Sequence, residues 1–291
     1  MTVVDSTSCS EVRWPKSSDL IHGSANLTPS SIGLKPLSNC RKPHPNSSLN
    51  GHLCMFPEPY ISKESWYELR RDIEANGVEE DPILQVTPEC PVFGLNLAFG
   101  WPLPSVLRNA YERTAGVLAG LDPGIYVYPY YQTHVTVMTL LNFKYHQNPT
   151  DDEVQGFLQL VPLIVARVAP FVSSLEPFTI TVGPPVLSRR AGFLPILNRT
   201  GEIVALRKAV EAAIQPLALT ECSVPQAIHS TVARFLRQPA DTQALLSSFE
   251  LAASDLDLGQ ATVTELLLTS ETKPYMRDGE ILFRFKLGTR L

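Results

Sequence analysis

Two short strings of the same type constrain the fold of this chain more than any other feature of the sequence. The first, THVTV, contains His134 followed by Thr136, and the second, IHSTV, contains His229 followed by Thr231. Each string lies in an apolar run that predicts a β-strand, in which alternate side chains point to the same face. We therefore predict that each His and its Thr share one face, about 7 Å apart along the strand. If the two strands face each other, two imidazoles and two hydroxyls line one pocket that suits a phosphate and a proton-transfer reaction.

A single string of this type has little weight, because one match is expected by chance in a chain of this length. A third match, His22 in IHGS, lies in a Ser-rich segment with Gly at the strand position, and we discard it. Either remaining copy alone could be a half-buried strand histidine beside a threonine that is present for its β-propensity. The pair favours a functional site, since both copies have Val after the Thr and both precede equivalent predicted elements.

The predicted elements repeat after each string. A helix and then a hairpin follow each motif strand, so the unit 125–197 resembles the unit 226–287. Two units related by a pseudo-two-fold axis would place both motifs on one cleft. We therefore predict an α+β fold of two pseudo-symmetric lobes, each an antiparallel sheet with helices on its outer face, enclosing a central cleft. Helices are predicted over 62–76, 104–121, 151–175 (kinked or divided near Pro162), 202–217 and 241–251, and strands over 92–99, 125–142, 178–187, 192–197, 226–236, 261–270 and 280–287.

Composition divides the chain into three parts. Residues 1–50 are rich in Ser, Asn and Pro and have no apolar periodicity, which predicts a disordered tail, with an organellar transit peptide as an alternative. Residues 51–91 predict an N-terminal extension made of a helix and a Pro- and acid-rich linker. The regular pattern begins at Val92, so residues 92–291 are predicted to form the bilobal domain.

Charge and cysteine content exclude several classes of protein. The net charge of −5 argues against a protein that coats long duplex nucleic acid with a basic surface. No apolar run is expected to reach the roughly 20 residues of a membrane helix. The five cysteines are scattered and form no C-x-x-C, which argues against a zinc site and favours reduced thiols. We therefore expect a cytoplasmic monomer without metal, cofactor or membrane, or a nuclear or organellar protein if the tail directs it there.

The paired strings on a duplicated α+β layout resemble the 2H phosphoesterase superfamily, in particular its branch of RNA 2′,3′-cyclic phosphodiesterases and 2′-5′ RNA ligases. The resemblance covers about residues 92–287 and includes LAFGWP at 97–102, which is similar to the first βα unit of that branch. It implies that the two strings are the catalytic motifs of such an enzyme. The second motif of the branch often continues to an Arg five residues after the His, and Arg234 stands at that position.

Two histidines suit the hydrolysis of a cyclic phosphodiester. One imidazole deprotonates water while the other protonates the leaving ribose oxygen, so one must be neutral and one protonated, and the pH profile should be bell-shaped. The hydroxyls of Thr136 and Thr231 would donate hydrogen bonds to the non-bridging oxygens. The residues leave open which histidine is the acid. The resemblance implies ring opening to a 2′-phosphate, with His229 nearer the water.

Four further residues are candidates for substrate binding. Arg234 would add charge-assisted hydrogen bonds to the phosphate. Its odd offset from the motif histidine points it away from the cleft unless a β-bulge or the strand end intervenes, and an exposed surface Arg is the alternative. Tyr130 and Gln132 share the parity of the first motif histidine, so cleft lining and ordinary packing are both open. Tyr275, in the predicted terminal hairpin loop, would stack on a base or be an ordinary loop tyrosine.

The sequence thus predicts an enzyme, a metal-independent phosphodiesterase that hydrolyses 2′,3′-cyclic phosphates of RNA ends or small nucleotides. One alternative is an RNA 3′-end exonuclease of the same superfamily. The other is a non-catalytic nucleotide-binding or scaffold module, in which the first 90 residues contact a partner. In each case the expected ligand is a small nucleotide or an RNA end.

Overall fold

Two antiparallel β-sheets organise the computed structural model of the chain, which describes residues 63–86, 90–198, 200–225, 227–253, 256 and 258–289. The predicted tail and the start of the predicted extension lie outside the described residues, as do the discarded string at His22 and the cysteines Cys9, Cys40 and Cys54. The predictions for those parts therefore stay predictions.

The helices and strands are as follows. The strands are β1 (Gly94–Phe99), β2 (Ile125–Val127), β3 (Val135–Leu141), β4 (Phe178–Val182), β5 (Val186–Leu187), β6 (Ala191–Leu197), β7 (His229–Phe235), β8 (Gly259–Val263), β9 (Glu265–Lys273) and β10 (Asp278–Lys286). The α-helices are α1 (Lys63–Asn76), α2 (Pro82–Val86), α3 (Arg108–Leu121), α4 (Asp151–Leu158), α5 (Leu160–Ser173), α6 (Glu202–Ile214) and α7 (Thr242–Ala253).

Each sheet is built from strands of both halves of the chain. One sheet has the order β10-β9-β1-β3, and the other has the order β2-β7-β6-β4-β8 with β5 paired to β6. The first motif strand, β3, therefore lies at an edge of one sheet, and the second motif strand, β7, lies inside the other. The predicted α+β class with two antiparallel sheets is confirmed. The two predicted repeat units are interleaved between the sheets, so neither unit forms a lobe by itself.

Two predicted strands are each divided between the sheets. Pro129 and a 3-10 turn at Tyr130–Gln132 separate β2, which pairs with β7, from β3, which pairs with β1. The run 261–270 divides at Thr264 into β8 and β9, which belong to different sheets. Apolar residues resume directly after both breaks, which is why hydrophobic pattern alone predicts single strands there. The first break carries the chain from one sheet to the other just before the first motif.

The predicted helices all form, with differences at their ends. α1 ends where Gly77 takes the left-handed conformation, with φ of 68°, and its N–H donates to Ile73 O at 2.8 Å. Such a termination favours Gly, which has no Cβ to clash. Thr150 and Glu153 form a capping box at the start of α4, because each side chain accepts from the other residue's backbone N–H.

The stretch Asp151–Ser173 is long and apolar enough to cross a membrane by length and composition, so the expectation that no run reaches this size is wrong. In the fold it is two helices, which meet at Gln159. Pro162 lies in the first turn of α5, where its missing N–H needs no partner. The buried residues of α5 recur three or four positions apart, and this face packs on α6 and β10. One face of the stretch thus belongs to the core of the described part.

The described part of the extension packs on the turn between β5 and β6. Glu79 N donates to Arg189 O at 2.6 Å, and the Arg189 side chain donates to Gly77 O at 3.0 Å. Arg190 forms an exposed ion pair with Glu79 at 2.7 Å. These contacts hold the segment between α1 and α2 against the sheet that contains the second motif.

Candidate active site

A β-bulge at the same position in both motif strands sets the face that each side chain occupies. The residue pairing of β3 with β1 skips Val137, and that of β7 with β6 skips Val232, each three positions after the motif histidine. An extra residue shifts the alternation of faces by one. The fifth position after each histidine therefore returns to the motif face, and it is Thr139 in β3 and Arg234 in β7. The bulge that Arg234 requires to face the cleft is present.

Both motif histidines are held by the same backbone contact. His134 Nδ1 lies 2.9 Å from Gln132 O, and His229 Nδ1 lies 3.2 Å from Ala227 O, so each ring bonds the carbonyl two residues before it. A carbonyl oxygen only accepts, so Nδ1 carries the proton and donates in each ring. This tautomer leaves Nε2 as the nitrogen available to take or give a proton.

Burial keeps both imidazoles neutral in the ligand-free protein. The pKa of His134 is lowered from 6.5 to about 4, chiefly by burial and also by the neighbouring His229 and Arg234, while the bond to the Gln132 carbonyl acts in the opposite direction. Burial also lowers the pKa of His229, and the cations Arg207 and Arg234 add to that effect. Each ring is therefore a proton acceptor near neutral pH, unless a bound anion raises its pKa.

A cavity of about 200 Å³ lies between the two motif strands. It is lined by His134 and Thr136 from the first motif and by Thr231 and Arg234 from the second. His229 is on the Thr231 side of β7, two residues earlier in the chain, and its ring packs against Phe193 with 5.3 Å between centroids. The structure thus brings three of the four motif residues to one cavity and places the fourth beside it on the same strand.

The guanidinium group of Arg234 is held by three side chains, of which Tyr128 and Tyr275 line the cavity and Asp81 does not. Its Nε donates to the Tyr128 hydroxyl at 3.1 Å, and its Nη1 donates to Asp81 Oδ2 at 3.1 Å. Its Cζ lies 3.7 Å from the centre of the Tyr275 ring, and the Tyr275 hydroxyl donates to the same Asp81 oxygen at 2.8 Å. Burial raises the pKa of both tyrosines, so their hydroxyls stay protonated. Tyr275 therefore lies at the cavity, with its ring face against the Arg234 cation.

Tyr130 and Gln132 lie away from this cavity, so their prediction as cleft-lining residues is not met. The Tyr130 hydroxyl donates to Leu103 O, and its ring packs against Tyr111 and lines a second cavity. Gln132 is 7% exposed and donates to Arg277 O at 3.0 Å. The parity argument fails here because residues 130–132 form a 3-10 turn, in which alternate side chains do not share a face.

A buried cation, Arg207, connects the two motif segments through hydrogen bonds to their backbone. It is 4% exposed on α6, and its two terminal nitrogens donate to Thr136 O and to Pro225 O, each at 3.1 Å. The first carbonyl belongs to the first motif, and the second belongs to the segment that leads to the second motif. Burial lowers the pKa of Arg207 to about 10, so it is still charged at neutral pH. A charged residue among the buried positions Ile203, Leu206 and Val210 of an amphipathic helix was the signal in the sequence.

A buried carboxyl group, Glu271, forms part of the cavity wall. It is 3% exposed, accepts from Asn96 Nδ2 at 3.0 Å and accepts from Met276 N at 2.8 Å. Gly94 makes room for it, since a Cβ at that position would lie 2.5 Å from Glu271 Oε1. Burial raises the pKa of Glu271 to about 7. Sequence reasoning missed Glu271, because nothing in its strand pattern distinguishes an inward-facing carboxyl from an exposed one.

The remaining charged groups at the cavity are cationic. Lys144 lines it together with Arg234. Within the ranges that the structure describes, no group of three or more His, Cys, Asp or Glu side chains could hold a metal ion. The positive side chains and the hydroxyls of the cavity are suited to an anion such as a phosphate.

Comparison with known proteins gives structural neighbours and no sequence match. No protein-family model matches the chain, and no curated protein matches it at a significant level. TT0787 of Thermus thermophilus is 19% identical and covers 67% of this chain and 98% of its own, with a TM-score of 0.46. LigT of E. coli complexed with 3′-AMP is 17% identical over 68% and 98% of the two chains, with a TM-score of 0.43. Usb1 of Kluyveromyces marxianus is 11% identical over 67% and 98%, with a TM-score of 0.38.

The architecture itself defines the class of fold. Two antiparallel sheets with helices, each sheet carrying one His-x-Thr strand beside a shared cavity, form the α+β arrangement that the paired motifs predict. The fold that the resemblance implies, two antiparallel sheets with helices, is therefore present.

Proposed function

We propose that this protein is a metal-independent phosphodiesterase that hydrolyses 2′,3′-cyclic phosphates at RNA ends or in small nucleotides. The observation that carries the proposal is the repeated, bulged motif strand. In both copies the histidine has the same tautomer, because its Nδ1 bonds the carbonyl two residues before it, and a threonine hydroxyl lies on the motif face. A structural role alone does not require this repetition in two different sheets.

The reaction needs one proton removed and one supplied. The oxygen of a water molecule attacks phosphorus, and Nε2 of one histidine takes the proton of that water. The bond from phosphorus to one ribose oxygen breaks, and Nε2 of the other histidine gives its proton to that oxygen. Thr136 and Thr231 donate to the non-bridging oxygens, on which negative charge grows in the transition state.

The acid histidine must be charged before the reaction, although both rings are neutral in the ligand-free protein. The anionic phosphodiester supplies the reason, because a negative charge within hydrogen-bond distance raises the pKa of an imidazole. Binding of the substrate and protonation of one histidine are thus coupled. Arg234 and Lys144 favour the same anion without needing a proton.

The test is hydrolysis of 2′,3′-cyclic mononucleotides in EDTA, with the position of the product phosphate read by ³¹P NMR. We expect turnover by the native 291-residue chain and its loss in His134→Ala and in His229→Ala. The matched control is His146→Gln, because His146 pairs with Glu221 at 2.9 Å outside the motifs and should be replaceable without loss of turnover. Turnover that survives either motif substitution would contradict the proposal.

The same protein samples separate the alternative functions. Stepwise shortening of an oligouridylate that leaves cyclic ends would indicate an RNA 3′-end exonuclease. Tight binding of AMP without turnover of any cyclic phosphate would indicate a nucleotide-binding module.

A further inference from the structure

We infer that Asp81, from the N-terminal extension, is a positioning residue of the anion site that holds Arg234 and Tyr275 in place at the cavity. The inference rests on the proposed function in one respect, namely that Arg234 contacts the substrate phosphate. It assigns a role to a segment that precedes the first strand of the two sheets.

One oxygen of the Asp81 carboxylate bonds the backbone of the extension, and the other bonds side chains of the site. Oδ1 accepts from Ile83 N at 3.0 Å and from Leu84 N at 2.9 Å, at the start of α2. Oδ2 accepts from Arg234 Nη1 at 3.1 Å and from the Tyr275 hydroxyl at 2.8 Å. The side chain is 5% exposed, so these bonds are shielded from water and from screening by salt.

The backbone on both sides of Asp81 is fixed to the sheet. Asp81 N donates to Phe235 O at the end of β7 at 2.7 Å, and Glu79 N donates to the β5–β6 turn. The Gln238 side chain donates to Val78 O at 2.5 Å. The Asp81 carboxylate is therefore held next to Arg234 by a backbone that is itself hydrogen-bonded to the rest of the fold.

This arrangement leaves Arg234 both oriented and able to bind an anion. A guanidinium group has five N–H donors, of which the bonds to Tyr128 and Asp81 use two, so three are left for a phosphate. An arginine that is not held has up to about 2 kcal/mol of rotamer entropy to lose on binding. The contacts with Asp81 and Tyr275 remove that freedom before the substrate arrives.

Asp81 also offsets the charge of Arg234, which by itself would weaken the binding of an anion. One feature limits this effect, and a second adds to the orienting role of Asp81. Oδ1 bonds two backbone N–H groups, which draw part of the carboxylate charge towards α2. Tyr275 is in the left-handed conformation, with φ of 63°, so its hydroxyl bond to Asp81 helps to hold a residue whose backbone is uncommon. Orientation is therefore expected to outweigh neutralisation.

The test uses Asp81→Ser in the 291-residue chain. A serine still caps α2 through its hydroxyl, whereas it has no second oxygen for Arg234 and Tyr275. We expect the KM for 2′,3′-cyclic AMP to rise about tenfold while kcat stays within about twofold. The matched control is Glu79→Gln, which removes the exposed ion pair with Arg190 in the same segment and should leave both constants unchanged.

A double-mutant cycle shows whether Asp81 acts through Arg234. In an Arg234→Ala background, Asp81→Ser should have no further effect on KM. The inference would be overturned if Asp81→Ser left KM unchanged or lowered it. It would also be overturned if Asp81→Ser raised KM by the same factor in the Arg234→Ala background as in the native protein. If Asp81→Ser does not fold, Tyr275→Phe removes only the hydroxyl that bonds Asp81, and a rise in KM of about threefold is expected, with an unchanged KM counting against the inference.

Binding of 2′-AMP, followed by calorimetry, separates this inference from the proposed function. If the native protein binds 2′-AMP without hydrolysing a cyclic phosphate, and Asp81→Ser weakens that binding about tenfold, the proposed function fails and the role of Asp81 stands. If turnover is present and Asp81→Ser changes neither KM nor 2′-AMP binding, the proposed function stands and the role of Asp81 fails.

Discussion

Glu271 is a buried carboxyl group whose ionisation should make the stability of the fold depend on pH. It bonds Asn96 and the backbone of Met276, so it also holds the β9–β10 turn that carries Tyr275. The perturbation that isolates it is Glu271→Gln, which keeps the shape of the side chain and removes its titration. Asn96 can present its amide oxygen to the new amide, so the bond between them can be kept.

The sign and size of the effect follow from the raised pKa of Glu271. In the fold the pKa of this carboxyl is about 7, against an ordinary pKa of 4.5. Its contribution to stability is therefore complete below about pH 4.5 and is lost as the pH rises through 7. The difference between the folded pKa of about 7 and the ordinary pKa of 4.5, at about 1.36 kcal/mol per pKa unit, corresponds to about 3 kcal/mol of the free energy of unfolding.

The assay is urea unfolding of the native protein and of Glu271→Gln between pH 5 and pH 9, followed by circular dichroism. The variant should be equal to or slightly less stable than the native protein at pH 5, and it should gain relative stability of about 3 kcal/mol by pH 9. Glu176→Gln, at an exposed carboxyl, is the control and should give parallel curves. Parallel curves for Glu271→Gln itself would refute the reasoning.

Three further predictions concern the site. Arg207→Met should lower kcat about tenfold or more, because Thr136 O and Pro225 O lose the donor that links the first motif to the segment before the second. The thermal midpoint should change little, because the variant no longer buries a cation. The alkaline limb of the pH profile of kcat/KM should lie below pH 6.5, because burial lowers the pKa of both His134 and His229. The alkaline limb of the kcat profile should lie at higher pH, because the bound phosphate raises the pKa of the acid histidine again. Thr136→Val and Thr231→Val should each lower kcat about 10²-fold, as the loss of one transition-state donor does, with KM little changed.

Each of these has a clear contradicting result. Full activity in Arg207→Met, measured beside Arg207→Lys as the charge-preserving control, would remove the buried cation from the account. Coincident alkaline limbs for the two kinetic constants would show that the substrate does not change the protonation of a histidine. A rise in KM at constant kcat in the threonine variants, with Thr→Ser substitutions as controls, would place their hydroxyls in ground-state binding only.

The sequence predicted the parts of the site that depend on local pattern. The His-x-Thr spacing places side chains on one strand face without any knowledge of the fold. The odd offset of Arg234 from its histidine showed that it could reach the cleft only through a bulge or the strand end. The bulge in β7 is visible only in the pairing with β6, because an extra valine looks like any other strand residue. The same bulge in β3 brings Thr139 to the equivalent position, and nothing in the sequence pattern singles that threonine out.

The missed parts depend on contacts between distant segments. Asp81 and Arg234 are far apart in the chain, and only the packing of the extension against β7 brings them together. The assignment of β2 and β3 to different sheets also depends on tertiary pairing, since both are apolar runs of similar composition. Tyr130 and Gln132 show the limit of parity arguments, because a single 3-10 turn cancels the alternation on which they rest.

The central claim is that the two repeated strands bring both histidines to one phosphate. A titration of the ¹³C-labelled protein with 2′-AMP at constant pH, followed through the Cε1–Hε1 signals of the histidines, tests it most directly. We predict that the signals of His134 and His229 both shift with one common dissociation constant, one of them towards the protonated position, while that of His146 does not move. A response of only one motif histidine, or two different dissociation constants, would contradict it.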